Sequence, residues 1–145
     1  MKLLYLAHPV SGDVRGNIDR ALRWLAFLAR TMPENAVTAP WVSNLLAGDD
    51  DSEPKQRERG LRNCCAIAAR FDGVVLVGGR VSAGMARERV AVEQAGGIII
   101  DLTWMGEEPP GVERIEKGLR ELRDAPVQDM RLKVELTERA GKDTP

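Results

Sequence analysis

The residues best suited to chemistry fall in one run, from Asp72 through the glycine pair Gly78 and Gly79 to Ser82, Gly84, Met85 and Glu88. Glycines and a serine at a strand-to-helix turn leave backbone N–H groups and a hydroxyl at a helix N-terminus, where an anion is favoured. Glu88 follows about one and a half turns into that helix. A phosphate cradle beside a carboxylate is a nucleotide-type arrangement. Gly78, Gly79, Ser82, Gly84 and Met85 are its candidate contacts and Glu88 its candidate reactive group, set against the plain reading of Glu88 as a solvated helix glutamate.

Such a turn needs a sheet to hold it. Lys2 to Ala7 is an apolar run of strand length, closed by the turn residues His8, Pro9, Ser11 and Gly12. From Asn17, the positions Ile18, Ala21, Leu22, Leu25, Leu28 and Ala29 recur at three and four, which predicts a helix packed on a sheet and ended near Pro33. Ala36 to Pro40 predicts a short second strand, and Trp41 to Asp51 a loop. Ser52 to Pro54 opens a helix with a charged first half, bordering solvent or a ligand, and a small apolar second half from Cys64 to Ala69. The unbroken apolar run Val74 to Val77 predicts a strand buried on both faces, as parallel sheets require, and Gly97 to Asp101 a further strand.

The expected fold is therefore α/β: one domain, a three-layer parallel sheet of flavodoxin or Rossmann-like type with about five strands. Ligands in such sheets sit at the carboxyl ends of the strands, so the loops Ala7 to Gly12 and Gly78 to Gly84 should meet there. The domain should span residues 1–125. The amphipathic spacing of Val112, Ile115, Leu119 and Leu122 predicts a helix, and the period-two alternation Met130 to Leu136 an edge strand, in an extension 126–145 with a mobile end.

Composition narrows the partners. The chain has 145 residues, 43% of them hydrophobic, enough for a core without staples. Twenty-one basic against twenty-two acidic side chains give a net charge of −1, which disfavours a nucleic acid polymer or a membrane surface as partner. The amino-terminal run is too short for a signal or spanning segment, so a cytoplasmic location is expected. Adjacent Cys64 and Cys65 suit neither a disulfide framework nor zinc spacing, and one histidine makes a metal site unexpected. No cofactor is called for.

Tyr5 with the loop to Gly12, then Asp72, Ser82, Gly84 and Glu88, resemble the nucleoside 2-deoxyribosyltransferase-like superfamily over residues 3–101. The spacing is most similar to the deoxynucleoside 5′-monophosphate N-glycosidase branch, and Tyr5 to Pro9 also looks like uncharacterised bacterial and phage members. The resemblance implies that Glu88 is the nucleophile at C1′ of the sugar, that Ser82 binds the 5′-phosphate, and that the protein is a homo-oligomer whose neighbouring subunit completes the site. It also implies a small-molecule nucleoside or nucleotide as partner. The chemistry is coherent on its own terms, since a carboxylate near C1′ can stabilise an oxocarbenium-like state or trap it as an ester.

Two departures stand out. The carboxyl group expected to serve the leaving base aligns with Cys64, beside Asn63, and a second acidic position aligns with Val77. A thiol is a poor general acid at neutral pH. A non-catalytic nucleotide-binding module is therefore one alternative, and a phosphoribohydrolase-like enzyme, suggested by Gly78, Gly79, Gly84 and Glu88, is another. Other residues carry two readings each. His8 reads as a ribose or base contact or as a hydrogen-bonded loop residue, Tyr5 as a ligand contact or a core residue, Trp41 as a base platform or a core plug. Ser11 and Gly12 belong to the first loop of the site. Aspartates 49 to 51 read as a cation site or a solvated loop, and Asp72, at the far end of its strand, as structural.

Overall fold

In the computed structural model, residues 1–124 are described, and contacts divide the chain into a unit Met1–Pro110 and a second beginning at Gly111. The first unit is built on strand β1 (Lys2–Ala7), helix α1 (Val14–Thr31), β2 (Asn35–Thr38), α2 (Pro40–Leu46), α3 (Pro54–Ala68), β3 (Gly73–Leu76), α4 (Ala83–Gln94) and β4 (Ile98–Asp101). A single 3-10 turn follows at Thr103–Met105. The second unit contributes helix α5 (Val112–Asp124).

All four strands are parallel, in the order β2-β1-β3-β4. Four strands stand among the described residues where about five were expected, and the proposed edge strand Met130 to Leu136 lies outside them. Leu4, Tyr5, Leu6 and Ala7 on β1, and Val74, Val75 and Leu76 on β3, are all fully buried. Alternate residues of a strand point to opposite faces, so burial at every position demands cover on both sides of the sheet. Right-handed crossovers from this strand order put α1 on one face and α3 and α4 on the other, giving three layers.

Local chemistry sets the helix boundaries. Asp13 caps α1 by accepting from the Gly16 amide at 3.1 Å, so that helix starts earlier than the apolar stripe indicates. Its buried face is Asn17, Ile18, Ala21, Trp24 and Leu28, whereas Leu22 lies 41% exposed. Trp24 turns inward because its indole N–H also reaches the Glu107 carbonyl at 2.9 Å. The segment after β2, expected as a loop, starts with a short helix instead. Pro40 occupies its first turn with φ already set, and Trp41 and Val42 are buried. Glu53 caps α3 through the Lys55 and Gln56 amides, and Pro54 again opens the helix. Asp72 is structural, its carboxylate accepting from the Leu3 amide at 2.7 Å.

Candidate functional site

Strand order reverses between β1 and β3, because β1 connects outward to β2 while β3 lies on its other side. At such a switch point the loops leave in opposite directions and open a crevice at the carboxyl ends of the strands. A cleft of about 250 Å³ lies there, lined by His8, Val10 and Ser11 after β1 and by Arg80, Ser82, Ala83, Gly84, Met85 and Glu88 around the start of α4. Its remaining wall comes from α2 and α3, with Trp41, Asn44 and Leu45 from the first and Gln56, Arg57, Gly60, Leu61 and Cys64 from the second. Asp49, Asp50 and Asp51 close the rim between them.

Glu88 is 6% exposed and faces this cleft from the buried side of α4. The Tyr5 hydroxyl donates to its Oε1 at 2.7 Å, across a sequence separation of 83. Burial pushes the Glu88 carboxyl from its ordinary 4.5 up to about 7, against the lowering effect of the Tyr5 hydrogen bond. Tyr5 itself is held far above its usual range by burial and by the neighbouring Glu88 charge, so it stays a proton donor. The Cys64 thiol adjoins both groups. Burial raises it to about 11, opposed by its interaction with the Tyr5 hydroxyl, and it is a neutral thiol at physiological pH.

Ser82 is the N-cap of α4, its Oγ accepting from the Met85 amide at 3.3 Å. That use leaves the hydroxyl hydrogen to donate outward, next to the first amides of the helix. Arg80 is exposed on the preceding loop and makes no ion pair among the described residues, so a cation, a hydroxyl and a helix N-terminus share one end of the cleft. Arg87 and Arg89 turn away from it, to Glu58 at 3.0 Å and Glu93 at 3.1 Å.

The rim acids are each engaged with neighbouring residues. Asp51 accepts from the Ser11 hydroxyl at 2.9 Å and pairs with Arg57 at 3.6 Å; Asp49 pairs with Arg59 at 2.9 Å; Asp50 accepts from Ser52. Among the described residues no group of His, Cys, Asp and Glu side chains is arranged to hold a metal ion.

The glycines shape the cleft more than they line it. Gly78 has φ +95°, and a Cβ there would lie 2.7 Å from Pro9 and 2.9 Å from the His8 ring, so only glycine lets the two loops approach this closely. Gly12 and Gly79 also have positive φ and, with Gly78, stand off the cleft wall; Gly84 lines it and lets α4 approach Leu61 of α3. Tyr5 lies behind Glu88. Val77, where the resemblance places an acidic residue, is fully buried. Of the wall residues, the composition of the chain points to none of Asn44, Leu45, Gln56, Leu61 or Arg80, which come from helix faces and a loop that only the fold brings together.

The strand order, the switch-point crevice and the helix N-terminus at its edge define an α/β protein of the flavodoxin-like layered type. The chain belongs to the family described as "Domain of unknown function (DUF7768)", whose model matches residues 2–102 and so takes in all four strands. No curated protein and no solved structure matches the chain significantly. No described helix is long and apolar enough to cross a membrane.

Proposed function

We propose that the cleft binds a nucleoside or nucleoside 5′-monophosphate and that Glu88 attacks C1′ of its sugar, cleaving the N-glycosidic bond or transferring the deoxyribosyl group to another base. The observation that carries this reading is a carboxyl group nine-tenths buried, aimed into a cleft and held by a tyrosine hydroxyl at 2.7 Å, behind an anion-binding helix N-terminus. The phosphate sits against Ser82, Arg80 and the first amides of α4, which leaves the sugar facing Glu88.

In the first step an Oε of ionised Glu88 bonds to C1′ as the C1′–N bond breaks and its electron pair leaves with the base. Water, or a second base, then attacks C1′ and frees the carboxylate. The positive charge developing on the sugar stabilises the carboxylate, so the raised pKa of the resting group does not prevent ionisation in the transition state. Cys64, its thiol raised to about 11, is a poor general acid, so the base leaves as its anion and picks up a proton from solvent afterwards, and turnover is slow.

The non-catalytic alternative draws on the same cysteine, a neutral thiol where the resemblance places a carboxyl group. Incubating the protein with a panel of nucleosides and nucleotides and measuring free base by chromatography separates the two. Release by the wild type and none by Glu88→Gln, with nucleotide affinity retained, supports the enzyme. Equal release by both proteins overturns the role of Glu88, and binding without release by either leaves the binding module.

A further inference from the structure

We propose that His8 determines specificity in this cleft, its Nε2 accepting a hydrogen bond from an O–H or N–H group of the bound ligand. The inference rests on the nucleotide reading of the cleft and assigns a polarity to one part of it. His8 is 4% exposed, and its Nδ1 lies 2.6 Å from the Pro9 carbonyl. A carbonyl oxygen only accepts, so Nδ1 carries the proton and Nε2 presents a lone pair. That Nε2 is buried and has no hydrogen-bond partner in the protein. Trp41 holds the ring in place, nearly parallel at 24° with centroids 6.5 Å apart, and both residues line the cleft.

A buried acceptor without a partner is costly, and a ligand that brings a donor recovers that cost. Burial lowers the His8 pKa, with Arg20 and Arg80 adding to the effect and the Pro9 carbonyl and Glu108 opposing it, so the ring is the neutral acceptor at physiological pH. The oxygens of a fully ionised 5′-phosphate have no hydrogen to offer it. The His8 side of the cleft therefore rejects phosphate and selects a sugar hydroxyl or a base amino group, leaving the phosphate to the Ser82 end.

His8 is the chain's only histidine, so its two ring nitrogens give unambiguous signals in a long-range proton–nitrogen NMR correlation. The full chain carrying Glu88→Gln, which does not consume ligand, is titrated with four probes. These are 2′-deoxyadenosine 5′-monophosphate, its 2′,3′-dideoxy analogue, its purine analogue without the amino group, and inorganic sulfate, an anion with no hydrogen at neutral pH, with calorimetry alongside. The deoxynucleotide should move Nε2 and sulfate should not. Loss of the shift with the dideoxy probe identifies the sugar hydroxyl as donor, and loss with the purine probe identifies the amino group.

In calorimetry, His8→Asn keeps an N–H near Nδ1 but has no acceptor at Nε2, and it should lose about threefold to tenfold in affinity for the donor-bearing ligand alone. His8→Gln, which places an amide oxygen near Nε2, should recover part of it. A nucleotide that binds while Nε2 stays unmoved, as with a nitrogen satisfied by solvent, overturns the assignment of His8 and leaves the nucleotide reading standing. Absence of nucleotide binding overturns both.

Discussion

At the scale of the residue, the unusual group is Cys64. It lies beside Tyr5 and Glu88 on the wall of the cleft, close enough for the Glu88 charge to raise its thiol. Replacing it by aspartate would put two carboxyl groups at one site, where they cannot both ionise readily, so one would stay protonated near neutrality and could donate to a leaving base. Cys64→Asp is expected to raise base release at about pH 7, and general acids of this kind contribute about 10² to 10⁴ in rate. Single-turnover assays against wild type and Cys64→Ala would check this. Unchanged rates in a variant with wild-type melting behaviour would place the proton donor elsewhere.

Helix α4 carries two duties on one residue. Ser82 caps it and presents a hydroxyl to the cleft. Ser82→Ala would lose both, destabilising the protein by about 1 kcal/mol and weakening 5′-monophosphates by about tenfold to a hundredfold. Ser82→Asp separates these effects, because an aspartate caps as well as a serine while its charge repels phosphate. The aspartate variant is expected to melt like the wild type and to lose affinity for the nucleotide far more than for the nucleoside, read by calorimetry with both ligands. Equal loss for the two would show that no phosphate sits at this helix end.

Elements buried on both faces leave a trace in the sequence that short helices do not. β1 and β3 were readable because burial on both faces leaves an uninterrupted apolar run, which no amphipathic helix has. Helix α2, with its 7 residues, is too short for a periodicity to form, so its proline start and buried Trp41 and Val42 read as a loop. On α1 the apolar spacing includes Leu22, which is 41% exposed, and passes over Trp24, which is fully buried with its indole N–H satisfied by the Glu107 carbonyl.

For the molecule as a whole, burying Glu88 has a consequence for stability. With its pKa raised from 4.5 to about 7, the folded state binds more protons than the unfolded chain between those values, so stability falls as pH rises through that window. The shift corresponds to about 3 kcal/mol, fully present above about pH 7 and absent below about pH 4.5. Glu88→Gln removes the ionisation and keeps the shape. It should melt several degrees above the wild type at about pH 8 and close to it at about pH 4.5, by scanning calorimetry. His8, whose lowered pKa acts in the opposite sense, is present in both proteins and cancels in the difference. A gap that does not change with pH would mean that Glu88 is not buried as a charge.

What the sequence determined by itself was everything that repeats locally: the apolar runs that make parallel strands, the glycine and serine turn at a helix start, and hence an α/β sheet with a crevice at its carboxyl edge. Tertiary structure alone decided what that crevice can do. The hydroxyl of Tyr5 meets Glu88 across 83 residues, Cys64 comes in from a third element, and the His8 ring is stacked on Trp41 from a fourth, with the Pro9 carbonyl at its Nδ1. Hydrogen bonds and desolvation act over a few ångströms of space and carry no periodic trace along the chain, so the protonation states that govern this site arise only when the layers close.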